Sequence, residues 1–352
     1  MRSFEHGYLL DVPLSHSLVM AMRALGEHRG RSALHGEQFP EVLDTLRRVA
    51  VVQSTESSNR IEGILVAPDR IEALVSKKTK PQDRSEQEVA GYRDVLSTIH
   101  AHPSKIQLSS DLILDWHRAL YRFTNERGGQ WKINDNAIIQ IGPDGRRNVR
   151  FRPVSAAATP DYMGRLVTLF GQSLSDGVAD PLLLIASFIL DFECIHPFTD
   201  GNGRLGRLLT LVLLYQAGFD VGRYISLERI VEESKESYYE ALFESSQRWH
   251  EGQHDLRPWW NYFLGMLTAA YKEFEARVGS ITSAKGAKRE MVSGAIARIP
   301  GRFSIGDLQR ACPGVSYPTI KRALEDLRAQ NKVRCLGRGP KAQWERILGV
   351  IR

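Results

Sequence analysis

Residues 182–195, Leu-Leu-Leu-Ile-Ala-Ser-Phe-Ile-Leu-Asp-Phe-Glu-Cys-Ile, are apolar on all sides of a helix. Such a helix has no face to offer water, so it predicts a buried central element that the rest of the chain must surround. Asp180-Pro181 supplies a cap and a first-turn proline just before it. The run falls short of the roughly 20 apolar residues that a membrane span requires, as does every other stretch.

Where that helix stops, residues 196–207 read His-Pro-Phe-Thr-Asp-Gly-Asn-Gly-Arg-Leu-Gly-Arg. Leu205, Leu208, Leu209 and Val212 then recur on one helical stripe and Gly218 follows as a terminator, so the motif bridges two helices. The Gly201-Asn202-Gly203 turn, entering a helix, presents unpaired backbone N–H groups at the positive end of the helix dipole, which suits phosphate. Arg204 and Arg207, three apart, share a second stripe from which both are expected to grip further phosphate oxygens. Asp200 is the kind of single carboxylate that Mg²⁺ commonly takes from protein, and His196, ending a buried helix, is a candidate neutral base. Phe198 is expected to pack inward and fix the loop.

Two blander readings compete. A histidine before proline is commonly structural, and Gly201-x-Gly203-x-x-Gly206 matches a dinucleotide fingerprint, with Asp220 near the ribose distance. That fingerprint needs a preceding strand, whereas Asp-Pro and the apolar run favour a helix.

At 352 residues the chain has room for two or three domains, and 42% apolar content with dispersed charge argues against disorder. Cys194, Cys312 and Cys335 are too few and scattered for a disulfide framework or a zinc site, and the N-terminus lacks a signal-peptide pattern, so a cytoplasmic location is expected. The net charge of +6 is uneven: residues 281–352 hold 15 Lys and Arg against 5 Asp and Glu. Any nucleic-acid contact is therefore expected at the C-terminus.

Residues 1–110 read as mostly helical, with a long helix from Pro40 to Glu62 that Gly63 ends. Residues 110–125 have helical spacing before the breakers Gly128 and Gly129. Two β-prone runs, 137–141 and 149–151, flank Gly142-Pro-Asp-Gly145 as a hairpin, and residues 221–277 are helical and rich in aromatics. A linker is expected at residues 285–286.

The chain resembles the Fic-domain family, whose signature His-Pro-Phe-x-Asp/Glu-Gly-Asn-Gly-Arg-x-x-Arg is met at every specified position by residues 196–207. The resemblance extends from about residue 40 to 275, the hairpin and Tyr238-Tyr239-Glu-Ala-Leu included. It implies a mainly α Fic fold with a short β-hairpin flap, which binds MgATP and transfers AMP to a Ser, Thr or Tyr hydroxyl of a target protein or of the chain itself. By position it implies His196 as the base, Asp200 as the Mg²⁺ ligand, Gly201, Asn202 and Gly203 as phosphate binders, and Arg204 and Arg207 as partners of the β and γ phosphates. Catalysis would then rest on positioning and charge neutralisation.

Glu62 falls in the last turn of its helix, at the negative end of the dipole, a placement that costs up to ~1 kcal/mol unless a cation answers it. Ser58-Asn-Arg-Ile-Glu62-Gly63 resembles the inhibitory motif Ser/Thr-x-x-x-Glu-Gly/Asn of self-restrained Fic proteins. This implies Ser58 and Glu62 as inhibitory residues, with Glu62 pairing to Arg207 and turning it from the γ-phosphate. The same glutamate aligning a water would instead make the site remove AMP.

Hairpin 138–151 resembles the family's flap, which clamps a protein target by strand addition. Tyr238 and Tyr239 suit an adenine pocket, although either also suits the core. Trp259, Trp260 and Cys194 are read as packing residues. From Lys288 onward, a helix, residues 304–311, a turn at Pro313-Gly314, a recognition helix begun by Ser316, Tyr317, Thr319, Lys321 and Arg322, and two strands around a basic tip at 337–341 resemble a winged helix-turn-helix. The expected domains are 1–105, an N-terminal helical region with the inhibitory helix; 106–278, a catalytic core; and 286–352, the winged unit. Expected partners are ATP, a target protein, DNA at the C-terminal unit and a second copy in a homodimer, with no membrane. Two function classes stand: a self-inhibited AMP transferase, and a DNA-binding regulator whose Fic portion senses nucleotide.

Overall fold

A computed structural model describes residues 2–5, 7–38, 40–141, 147–281, 287–299, 301–312, 315–337 and 342–347. Its helices are α1 (Tyr8–Asp11), α2 (His16–Gln38), α3 (Pro40–Ile61), α4 (Pro68–Val75), α5 (Arg84–Ala101), α6 (Ser110–Leu120), α7 (Thr159–Ser175), α8 (Pro181–Ile195), α9 (Asn202–Gln216), α10 (Leu227–Glu233), α11 (Lys235–Ser246), α12 (Arg257–Ile281), α13 (Ala287–Arg298), α14 (Ile305–Ala311) and α15 (Tyr317–Ala329). Its strands are β1 (Ile138–Ile141), β2 (Arg147–Phe151), β3 (Arg302–Ser304), β4 (Val333–Leu336) and β5 (Gln343–Arg346).

Helix α8 is the apolar run, capped by the Asp180 carboxylate, which accepts from Leu182 N at 2.8 Å. From Leu182 to Ile195 every residue but Glu193 is buried, and α7, α9 and α12 pack around it. Its two remaining buried polar side chains are satisfied inside the protein, as burial demands. Ser187 Oγ accepts from Trp260 Nε1 at 3.0 Å. Asp191 accepts from Ser3 N at 3.1 Å, Ser3 Oγ at 2.7 Å and Trp249 Nε1 at 2.6 Å, which pins the short 3₁₀ turn Arg2–Phe4 onto the central helix.

The helix that precedes Glu62 is held as firmly. Helix α3 lies on α5 and α10, where Ser54 Oγ donates to Glu228 Oε2 at 2.7 Å and Tyr92 Oη donates to Glu228 Oε1 at 2.9 Å. One apolar cluster runs from Leu9 to Val278, so the core is continuous across residue 105, the boundary expected between the first two domains. A separate cluster runs from Val292 to Trp344.

Strands β1 and β2 form the expected antiparallel hairpin, with a register irregularity between Ile138 and Ile139; its turn, 142–145, lies outside the described residues, as do the linker at 285–286, the turn at 313–314 and most of the basic tip. The C-terminal unit packs α13, α14 and α15 with a three-stranded antiparallel sheet ordered β3-β5-β4. Strand β3 was not expected from the sequence, because Arg302-Phe-Ser304 is too short to show an alternation. No described helix is long and apolar enough to cross a membrane.

Replacing the buried Asp191 carboxylate removes the acceptor of three donors at once. Asp191→Ala is expected to lower unfolding stability by more than about 2 kcal/mol, since each stranded buried donor costs about 1–3 kcal/mol. Urea denaturation of the two proteins measures this; a loss below about 1 kcal/mol would contradict the anchoring role.

Candidate active site

Helix α8 ends at His196, whose N–H bonds Phe192 O at 2.9 Å and whose φ of 49° is left-handed, an uncommon conformation for a side-chain-bearing residue. The loop that follows is held from several sides. Phe198 is fully buried and stacks on His117 with ring centroids 3.7 Å apart. His117 accepts from Gly129 N at Nδ1, 2.8 Å away, so its Nε2 carries the proton and donates to Asp200 O at 3.1 Å. Burial holds His117 at a pKa of about 4 and thus neutral, as this pairing requires. Asn202 brackets the loop, accepting from Phe198 N at 2.9 Å and donating to Phe198 O at 2.8 Å.

Helix α9 then starts at Asn202, with Gly201 left-handed at φ 83°. Leu205 N to Gly201 O is its first backbone bond, so the amides of Asn202, Gly203 and Arg204 have no acceptor within the helix and form an anion-binding end. A cavity of about 1020 Å³ opens there, lined among others by His196, Gly203, Arg207, Glu62, Tyr238 and Tyr239.

The predicted residues do not all reach this cavity. Arg204 and Arg207 were expected to face phosphate together, yet they point to different partners. Arg204 is fully buried, pairs with Glu88 on α5 at 2.7 Å and donates to Tyr121 Oη at 2.8 Å. A guanidinium so buried needs a carboxylate, and α5 supplies one from outside the motif. The Asn202 side chain is likewise committed to the loop backbone, so only its amide remains for an anion. Gly201 lies against Tyr121 and His117, away from the cavity. Asp200, whose side chain is 64% exposed, accepts from Gly201 N at 2.7 Å with one oxygen. It lines a smaller hollow of about 240 Å³ beside His117, Tyr121 and Arg84.

Arg207 does face the cavity, and there it meets the inhibitory-motif segment. Its Nη2 lies 2.8 Å from Glu62 Oε1 and 2.8 Å from Ser58 O, and its Nε donates to Ser58 Oγ at 2.9 Å. Gly203 makes the approach possible: a Cβ there would stand 3.4 Å from Glu62 Cδ, 3.1 Å from Arg207 Nη1 and in outright overlap with Glu62 Oε1. The Glu62 carboxylate thus rests on the first turn of α9. Its own backbone leaves α3 through Gly63 at φ 80°, and Lys235 Nζ caps Ile61 O at 2.7 Å.

His196 is held at a pKa of about 4 by burial and by the nearby Lys132, so its imidazole is neutral at pH 7. Lys132, which sequence reasoning missed, is buried and donates to Ile195 O at 3.0 Å, closing the C-terminal end of α8. Glu193 was missed as well. It lines the cavity one turn before His196, its Oε2 lies 3.7 Å from His196 Nδ1, and burial pushes its carboxyl up to about 7 against the pull of Arg207. Glu193 did carry a signal, a carboxylate in an otherwise apolar helix. Tyr238 is buried and meets Tyr239, Trp259 and Tyr262 edge-on, while Tyr239 is partly open to the cavity.

Residues 107–214 match the model of the Fic/DOC family. A probable protein adenylyltransferase of Aquifex aeolicus is 24% identical over 212 residues, 59% of this chain and 57% of that protein. A Fido domain-containing protein of Dictyostelium discoideum is 39% identical over 54 residues, 15% of this chain and 38% of that protein. The chain therefore spans little more than half, or less, of the curated relatives it matches. Among solved structures, a Fic family protein from Desulfovibrio desulfuricans superposes with a TM-score of 0.61 at 22% identity, covering 97% of this chain and 98% of that one. The loop between α8 and α9, with its histidine, anion-binding turn and arginines, lies near the C-terminal end of the matched segment, and residues 107–214 carry a Fic domain.

Proposed function

We propose that this protein is an adenylyltransferase that moves AMP from MgATP to a hydroxyl side chain of a target protein or of itself, and that Glu62 restrains it. The observation that carries the reading is the Glu62 carboxylate seated at Gly203 on the N-terminus of α9 and paired with Arg207. A carboxylate in that place occupies an anion site, and the anion it stands in for is a phosphate of ATP. With Glu62 withdrawn, the amides of Asn202, Gly203 and Arg204 and the Arg207 guanidinium are available to the phosphate chain. Arg204 contributes through its pairing with Glu88, by holding the first turn of α9 in place.

Asp200 fits a magnesium ion: its second oxygen is 4.0 Å from the nearest guanidinium nitrogen and open to solvent, and a single carboxylate is what this ion takes when phosphates and waters complete its shell. Among the described residues no cluster of three ligating side chains offers an alternative site. The ion would neutralise phosphate charge. Neutral His196 takes the proton of the attacking hydroxyl as its oxygen meets the α-phosphate, and pyrophosphate leaves in line. Tyr239 faces the nucleotide, Tyr238 backs it from the core, and the β1–β2 hairpin at the cavity mouth receives the target. Removal of AMP by the same site, with Glu62 aligning a water, is the reverse use of this geometry.

Glu62→Gly is expected to raise AMP transfer about 5- to 150-fold, the effect of a coupling of 1–3 kcal/mol, and His196→Ala in that background to lower it by about 10²–10⁴-fold. ATP labelled separately on the α and γ phosphates reads both. Label retained from the γ position alone would replace AMP transfer with phosphorylation, and an unchanged rate in Glu62→Gly would remove the inhibitory role. Because the base works when neutral and its pKa is about 4, the activity that remains in Glu62→Gly once Glu193→Gln removes the neighbouring carboxyl held near 7 is expected to persist down to about pH 5 and to fall as the pH drops through about 4. A fall already centred near 6.5, the ordinary histidine value, would show a base in a different environment.

The C-terminal unit supports a second, compatible reading as a DNA-binding winged helix. Ser316, Tyr317, Lys321 and Arg322 are exposed on the first turns of α15, the end of a recognition helix that meets base edges and phosphates. Lys321→Ala with Arg322→Ala is expected to lower affinity for duplex DNA and to reduce the salt slope by about 1 per lost phosphate contact. Fluorescence anisotropy at several salt concentrations measures both, and identical slopes would leave the unit as a protein-docking module.

A further inference from the structure

Two buried polar atoms at the cavity floor lack what burial normally demands. His196 Nδ1 and Glu193 Oε1 have no hydrogen-bond partner among the described residues, and they belong to neighbouring side chains one helical turn apart. Glu193 Oε2 lies 3.7 Å from His196 Nδ1, just beyond hydrogen-bond reach. The main chain of Glu193 also acts on the His196 ring, raising its basicity, although Nδ1 has no hydrogen bond of acceptable geometry among the described residues. The carboxylate has little room to go elsewhere: a Cβ on Gly206 would stand 2.5 Å from its Oε1, so α9 backs it closely. A closing movement of less than about 1 Å would bring the pair within bonding distance, and catalytic hydrogen bonds are commonly long until substrate is bound.

We propose that Glu193 is the positioning residue of the transfer reaction, accepting the Nδ1 proton of His196 so that the Nε2 lone pair faces the attacking hydroxyl. The inference rests on His196 as the base and deepens that reading. In the step itself the hydroxyl proton passes to Nε2, the hydroxyl oxygen bonds to the α-phosphorus, and the bond from phosphorus to the pyrophosphate oxygen breaks, its electron pair leaving with pyrophosphate. The imidazolium so formed faces the Glu193 carboxylate, which stabilises its charge. The groups that face Glu193 are Glu62, just after α3, Arg207 from α9, Tyr238 and Tyr239 from α11 and His196 itself. Arg207 favours its ionised form and Glu62 opposes it, so withdrawal of Glu62 from the site also favours the ionised, accepting form of Glu193. Restraint and base orientation are then linked through one arginine and two carboxylates.

The test uses the full chain carrying Glu62→Gly, with Glu193→Ala and the isosteric Glu193→Gln added separately. Each is expected to lower kcat about 10- to 100-fold, the usual cost of losing the group that orients a functional histidine, while KM for ATP stays within about twofold. Long-range ¹H–¹⁵N spectra of His196, recorded with the α,β-methylene analogue of ATP bound, give a readout independent of turnover. The Nδ1–H tautomer is expected in the parent and is expected to lose its dominance in Glu193→Ala. The proposal is overturned if that tautomer persists in Glu193→Ala, because the neighbouring carbonyl then suffices, or if kcat is unchanged in both variants. Should His196→Ala retain full transfer, the base assignment fails instead, and the spectra still report whether the two side chains pair.

Discussion

Helix α8 can exist only inside protein, and the helical body that shares its core, from Leu9 to Val278, is arranged by that constraint. Its apolar circumference is covered by α7, α9 and α12, and its few polar side chains are answered from distant parts of the chain, Ser3, Trp249 and Trp260 among them. Such a helix delivers its last residue to a fixed place. His196 therefore stands at the floor of a cavity in a low-dielectric setting, where the neutral imidazole is favoured over the charged one. An imidazole buried in this way needs no special partner to be neutral.

Two helix dipoles meet at Glu62. The glutamate directly follows Ile61, the last residue of α3, where a negative charge is disfavoured, and lies on the start of α9, where one is favoured. Arg207 and the bare backbone at Gly203 settle the balance, while Lys235 answers the α3 carbonyl beside it. The helix itself is not free to leave, since Ser54, Thr55, Ser57, Ser58 and Asn59 are all buried along its last turns. Side-chain rotation of Glu62, which keeps 28% of its side chain exposed, disturbs far less packing than withdrawal of α3. Even then Ser58 continues to hold the Arg207 guanidinium by two bonds, so the arginine remains oriented as its carboxylate partner departs.

The turn and the charged residues of the motif were legible in the sequence, but the partners that each of them takes were not. The spacing of Arg204 and Arg207 puts both near one stripe of α9, and nothing local separates them; Glu88, more than a hundred residues upstream, takes one, and Glu62 takes the other. Asn202 was expected as a phosphate binder, and the closeness of Phe198 shows its side chain instead bracketing the loop. His117, Lys132 and Glu193 escaped notice because each belongs to a different element, and their importance lies in what folding sets beside them.

The helical class, the buried helix, the glycine turn that follows it, the hairpin and the segment that ends in Glu62 are all written into short stretches of the chain, because they depend on periodicity, capping and turn chemistry. Tertiary structure alone decided that the first hundred residues share one core with the motif, which arginine faces the cavity, and that a carboxylate already sits where an anion belongs. Those outcomes are set by contacts between residues far apart in the chain, and a buried charge takes whichever partner the packing brings within reach.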